Sequence, residues 1–211
     1  MKAAVLLFFL LFKGTSVLRP PTVRVIISPL TKAAYVQALK GKISLTPRVA
    51  FPLKKQQARL VIPSDKGPRV FRDGWVDGEQ DEDTRYKYLG YWPDLQWHLV
   101  EGYHFSEVYR LNVLTQKGQW LKLDGSPEIG PDTSRFVVAS GALDGMGTPT
   151  IQLFQRKKGA WQQVWQVESS SWQVEQLEWV AANALLLKQK HWNKTFSQAW
   201  YTYARLTIQD H

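Results

Sequence analysis

Cysteine is absent from the 211 residues. That excludes disulfides, thiolate metal centres, a cysteine nucleophile and thiol lipidation together. Histidine is scarce, at four residues, which leaves little material for imidazole-based metal or acid–base chemistry. No apolar run approaches the ~20 residues of a membrane-spanning helix; the longest stretch covers residues 3–12. No Gly-x-Ser-x-Gly surrounds Ser140 or Ser169-Ser170-Ser171, so the nucleophile elbow of a serine hydrolase is missing. The glycine-rich stretch 141–147 lacks the Gly-Lys-Ser/Thr end of a phosphate loop. No coherent catalytic set emerges, and no cofactor is expected.

What is present points to β-structure. The chain is 44% hydrophobic and 21% charged, enough to bury a core and outside the range of disordered chains. Ten tryptophans and 13% aromatics favour strands and large contact surfaces. Residues 1–16 read as an export signal: Lys2 gives the positive start, 3–12 the apolar stretch, and Gly14 and Ser16 the small residues of a cleavage site after Ser16. The expected location is therefore periplasmic or secreted. The net charge of +9 is unevenly spread. Residues 17–72 carry 12 Lys/Arg against one acid, Asp65, whereas 73–101 carry eight acids against Arg85 and Lys87. In an exported protein the basic 17–72 segment is expected to meet a protein partner, an anionic envelope surface or the acidic loop itself, rather than nucleic acid; the competing expectation is a solvated face kept soluble by its charge.

Residues 17–57 are interrupted by five prolines, which cut the segment into short pieces. A brief strand is expected at 23–27 and another at 43–45, with a helix over 31–40 capped by Thr31 and ended by Gly41. From residue 58 the pattern becomes strand, turn, strand, and it repeats. Residues 59–74 align without gaps on 110–125, with six of sixteen positions identical, including the Lys66-Gly67 and Lys117-Gly118 pairs. A third copy places Ile151, Leu153, Lys158-Gly159 and Trp161 where Leu111, Val113, Lys117-Gly118 and Trp120 stand. Each copy predicts a β-hairpin with one buried face, Lys-Gly at the tip, and a glycine supplying the positive φ of the turn. Periods of 40 to 50 residues with hairpin content are those of propeller blades.

Gly130-Pro131-Asp132, followed by the strand Arg135-Phe136-Val137-Val138, resembles the Ser-Pro-Asp-Gly turn before a blade strand in bacterial β-propellers. Tyr86-Lys87-Tyr88-Leu89-Gly90-Tyr91, then 103–111 and Lys117-Gly118, is similar to an uncharacterised family of exported bacterial proteins. The resemblance implies a blade-like scaffold and carries no activity. The fold expected is all-β: about three antiparallel propeller-blade-like hairpin repeats over 58–211, open or incomplete, behind the basic segment 17–57. A closed propeller needs four or more blades, so the stack stays open, the N-terminal strands complete the last blade, or uncovered edges associate with another copy.

Candidate sites are ranked by chemistry. His98 and His104 share one strand face, but six residues of strand hold them ~20 Å apart, too far for one metal ion. Asp77, Glu79, Asp81 and Asp83 alternate as calcium ligands do, yet Glu82 stands where an EF-hand needs glycine. A solvated acidic loop is the favoured reading. Trp92, Trp97, Glu101, His104 and Trp192 form the candidate ligand set, since indole rings can cover sugars and a carboxylate can hold a hydroxyl; core packing competes for every one of these rings. The leading expectation is an exported, non-enzymatic binding protein. The alternative is a carbohydrate-binding module or weak glycoside hydrolase using surface Trp and a carboxylate pair.

Overall fold

The computed structural model describes residues 23–43, 45, 53–76, 78–104, 108–141, 143 and 147–210, with backbone alone at 104 and 108–110. Residues 1–16, read as an export signal, lie outside the described residues, as does Asp77. Sixteen strands and one helix make up the described chain. A strand β1 (Val23–Leu30) and helix α1 (Lys32–Leu39) precede two short hairpins, β2 (Arg59–Ile62) with β3 (Arg69–Arg72), and β4 (Trp75–Val76) with β5 (Glu79–Gln80). Next comes a four-stranded meander of β6 (Arg85–Trp92), β7 (Trp97–His104), β8 (Val108–Thr115) and β9 (Trp120–Leu123). A second meander joins β10 (Pro127–Ile129), β11 (Arg135–Ser140), β12 (Thr150–Lys157) and β13 (Ala160–Glu168). The last sheet combines β14 (Gln173–Ala181), β15 (Ala184–Trp192) and β16 (Ala199–Asp210) with β1, in the order β1-β16-β15-β14. The fold is all-β, with antiparallel hairpin repeats in several small sheets that do not close into a barrel.

The N-terminal strand thus completes the last repeat. It pairs with β16 along its whole length, Val23 opposite Asp210 and Leu30 opposite Tyr203. It also runs three residues beyond the expected Ile27, through Pro29. Proline is tolerated there because β1 is an edge strand, where a missing N–H breaks no ladder bond. Helix α1 forms where the sequence places it: the Thr31 hydroxyl accepts from the Ala34 N–H at 3.2 Å. No strand is assigned at Ile43; its N–H donates instead to the Trp179 carbonyl at 2.8 Å.

Three hydrophobic clusters record how the sheets stack. Leu60, Ile62 and Phe71 of the β2–β3 hairpin pack on Val100 and Leu114. Trp97, Leu99, Leu111, Val113 and Leu123 pack on Phe136, Val138, Phe154 and Trp161 of the following sheet. Val137, Ile151 and Leu153 meet Trp179, Leu185, Leu187, Leu206 and Ile208 of the last. Neighbours along a strand alternate faces, so Leu99 and Val100, or Val137 and Val138, join different clusters. The expectation of one buried face therefore holds for β2 but not for the two meanders, which are covered on both sides. Asn112 shows the cost and the remedy: it is buried, and it donates to the Val100 carbonyl (3.3 Å) while accepting from the Trp120 indole (3.1 Å).

The Lys-Gly tips lie along one edge of this stack. They share a left-handed glycine, with φ of 102°, 78° and 80° at Gly67, Gly118 and Gly159, but the turns differ in length. Lys157 pairs with Ala160 across a two-residue turn whose Lys158 also has positive φ, the type I′ geometry. Ile62 pairs with Arg69 across a longer loop. Adjacent tips are bound to each other: the Asp65 N–H donates to the Gln116 carbonyl (2.8 Å), and the Gln116 amide donates to the Asp65 carboxylate (3.0 Å). Gln119 repeats the device one sheet on, bonding the Trp161 backbone N–H at 2.7 Å and its carbonyl at 2.6 Å.

Candidate functional site

The most distinctive surface feature is a cleft of about 450 Å³ beside the β2–β3 hairpin, lined by Arg69, Arg72, Trp75, Tyr86 and Trp120 with Val70 and Phe71. Its construction follows from the strand register. Leu60 and Phe71 point into the core as a cross-strand pair, which turns Arg59, Val61, Val70 and Arg72 to the opposite face. Arg69 sits at the tip end of β3 and lays its guanidinium 3.4 Å from the centroid of the Trp120 ring. Lys122 approaches the same indole at 4.5 Å, and Arg72 stands 5.0 Å from Trp75. Tyr86 closes the base, its hydroxyl donating to the Trp75 carbonyl at 3.1 Å and its ring 5.2 Å from Phe71. Among the described residues lining the cleft none is acidic. Stacking engages the flat face of a guanidinium and leaves its N–H donors in the plane of the group. Such a site suits an oxyanion, which an arginine fork holds bidentately.

The acidic loop lies on the other side of Trp75. A shallow depression of about 400 Å³ there is lined by Asp73, Trp75, Gln80, Glu82 and Arg85. Part of the basic segment is neutralised internally, since Lys55 pairs with Asp73 at 2.8 Å and Lys42 lies 3.7 Å from Glu178. Asp73 also accepts from the Tyr86 N–H at 2.9 Å. Asp81, one of the proposed calcium ligands, uses its carboxylate to accept from the Thr84 hydroxyl (2.9 Å) and the Asp83 N–H (3.3 Å). Glu79 is exposed on β5. Among the described residues no group of three His, Asp or Glu is placed to hold a metal ion.

The ligand set proposed from sequence is dispersed. Trp97 is fully buried, stacked on half-buried Trp92 at 6.2 Å and edge-on to Phe136 and Trp161 at 5.1 Å; no face of its ring is open to a ligand. Glu101 lies four residues further along β7, bonded by the Tyr103 hydroxyl and 3.8 Å from Lys87. The backbone of His104 pairs with Val108, and its side chain lies outside the described residues. Trp192 is in the last sheet, half-buried beneath the Lys190 ammonium at 4.3 Å. His98 is buried, and its Nδ1 is 2.9 Å from the Tyr88 hydroxyl. Burial lowers the His98 pKa and pushes Tyr88 up to about 12, with Tyr91 adding to the latter. The pair is neutral core polarity. Trp200 is the tryptophan that is strongly exposed, at 49%, with its ring stacked on His191 at 5.3 Å.

Arg69, Arg72 and Trp120 of the cleft were absent from that set. Their signal in the sequence was the excess of cations over 59–72, which lies beside a tryptophan at 75 and another at the second hairpin tip. No protein-family model, curated protein or solved structure matches the chain. Among the described residues no helix is long and apolar enough to cross a membrane.

Proposed function

We propose that this is an exported, non-enzymatic binding protein that holds an anionic partner at the cell envelope through the C-terminal part of its basic segment. The observation that carries the reading is the cleft in which Arg69 and Arg72 are held against Trp120 and Trp75. Cations fixed on indole faces lose less freedom on binding than freely moving ones. The runner-up, glycan binding through exposed tryptophans, has Trp200 in its favour. The rings near it sit under lysines, with Lys188 4.2 Å from Tyr201 and Lys190 4.3 Å from Trp192, rather than beside a carboxylate pair.

The test is retention of the protein on vesicles of phosphatidylglycerol and on immobilised dextran sulfate, against phosphatidylcholine vesicles and plain dextran. Retention on both anionic supports at ~50 mM salt, lost by ~0.5 M and weakened in Arg69→Gln/Arg72→Gln, is expected. Indifference to salt, or equal retention on the neutral supports, would sink the electrostatic reading. Export itself is checked by sequencing the N-terminus of the protein recovered outside the cytoplasm, where a start at residue 17 is expected.

A further inference from the structure

The cleft continues into a row of cations along the tip edge of the stack. Lys66 crosses from the β2–β3 loop to the next sheet and covers Gly118: a Cβ at that glycine would lie 2.9 Å from the Lys66 Cβ and 3.1 Å from its Cγ and Cδ. Lys117 repeats the gesture one sheet further, its Nζ 3.4 Å from where a Gly159 Cβ would stand. Lys158 occupies the third tip beside Gly159, and Arg156 lines the same crevice as Lys117 and Gly159. At the near end Arg69 and Trp120 adjoin the first two tips. Glycine is therefore required twice at residue 118, for the positive φ of the turn and because Lys66 from the preceding sheet lies over it, whereas at residue 159 the positive φ alone requires it.

Asp65, Asp94 and Asp132 share this edge with the cations. Asp65 accepts from Gln116, and Asp132 accepts from the Ser134 N–H (3.0 Å) and hydroxyl (2.7 Å); Asp94 sits in the 93–96 turn. Stacked sheets are ~10 Å apart, so the ladder presents successive cations at about that interval in a line. The geometry points to a linear polyanion laid across the hairpin tips, with one end in the arginine cleft, as the partner class. This rests on the binding function proposed above and specifies its ligand. A single phosphate reaches one rung, whereas a flexible chain of phosphates reaches several, and each further contact becomes intramolecular.

Long-chain polyphosphate, orthophosphate and phosphatidylglycerol vesicles are the probes, with tryptophan fluorescence and co-sedimentation as the readouts. The proteins compared are the full chain, Lys66→Gln/Lys117→Gln/Lys158→Gln, and Arg69→Gln/Arg72→Gln. The expected result is polyphosphate binding at least 100-fold tighter than orthophosphate. The lysine variant, with unchanged thermal unfolding, loses about tenfold or more at ~50 mM salt. Its plot of log affinity against log salt is shallower by about 2, the value for three lost contacts with a single-stranded polyanion. If the lysine variant binds polyphosphate as the parent does while the arginine variant fails, the ladder is overturned and the cleft reading stands. Vesicle binding with no polyphosphate binding also overturns the ladder alone. Binding of neither probe overturns both.

Discussion

The two ends of the sheet stack have been finished in different ways. At the last sheet, helix α1 lies over the outer face: Tyr35 is buried, 4.7 Å from the Tyr203 ring, with its hydroxyl donating to Gln176 at 3.2 Å. At the first, a two-stranded hairpin leaves Val61 and Val70 paired across its outer face and 48% and 42% exposed, with Arg59 and Arg72 as the neighbouring cross-strand pair. Repeat stacks need polar or capped ends, because an uncovered repeat face would otherwise bind another copy. One end here is closed by a segment of chain. The other sets Arg59 and Arg72 beside Val61 and Val70, and that is the end where the candidate binding cleft lies. The difference teaches that the basic segment is one run in sequence but two tools in space: its N-terminal part pairs with the last sheet and packs over it, and its C-terminal part lines the candidate cleft.

The comparison can be broken most severely at the closed end. Trp179 is buried, and its indole donates to the Glu128 carbonyl of the neighbouring sheet at 3.0 Å. Trp179→Ala should cost about 3–5 kcal/mol by denaturant unfolding, the range for a fully buried indole. A loss below ~1 kcal/mol would mean that the two sheets do not depend on each other. Thr31→Ala removes the cap of α1 and should cost roughly 0.5–2 kcal/mol; no change would show that the helix adds nothing to the closed end.

A pH experiment sharpens the same contrast. Glu128 is exposed on β10, yet the protein around it removes enough water to raise its carboxyl above the ordinary pKa, with Glu178 adding to the rise and Lys42 opposing it. The folded state therefore holds this proton more tightly than the unfolded chain does, and stability falls as pH rises from about 4.5 through the folded pKa. Glu128→Gln should stabilise the protein at pH 7, with the gain vanishing on acidification. His98 works in the opposite direction: burial lowers its pKa, so stability drops as pH falls below 6.5 toward the folded value. Smallest of all, Val61→Thr with Val70→Thr at the open end should change stability by no more than about 0.5 kcal/mol. A larger loss would reveal that this face is covered.

The hairpins were readable because a turn glycine and an alternating strand are local signals, and three copies of Lys-Gly reinforced one another. Thr31 was readable for the same reason, as a cap bonded three residues on. The packing of Leu99 and Val100 into different cores was not, since a run of apolar residues shows burial without saying against what. The extension of β1 through Pro29 depended on its place at a sheet edge, which only the pairing with β16 decides. Nor could spacing tell Trp97 in the core from Trp120 under a guanidinium: both are indoles on strands, and the distinction lies in what the next sheet brings.

The pairing of β1 with β16 has a consequence for how the chain reaches this state. Val23 waits for Asp210, so the last sheet cannot be completed until the chain through Asp210 is available. Such a long-range closure is intrinsically slow, because the loop entropy is lost before the ladder bonds form. The middle meanders, built from neighbouring strands, can form early; the terminal sheet is left with an open edge and uncovered apolar residues until the two ends meet. A chain whose final step is withheld in this way remains incompletely folded during synthesis. That is the condition in which a polypeptide can still be threaded through a narrow pore.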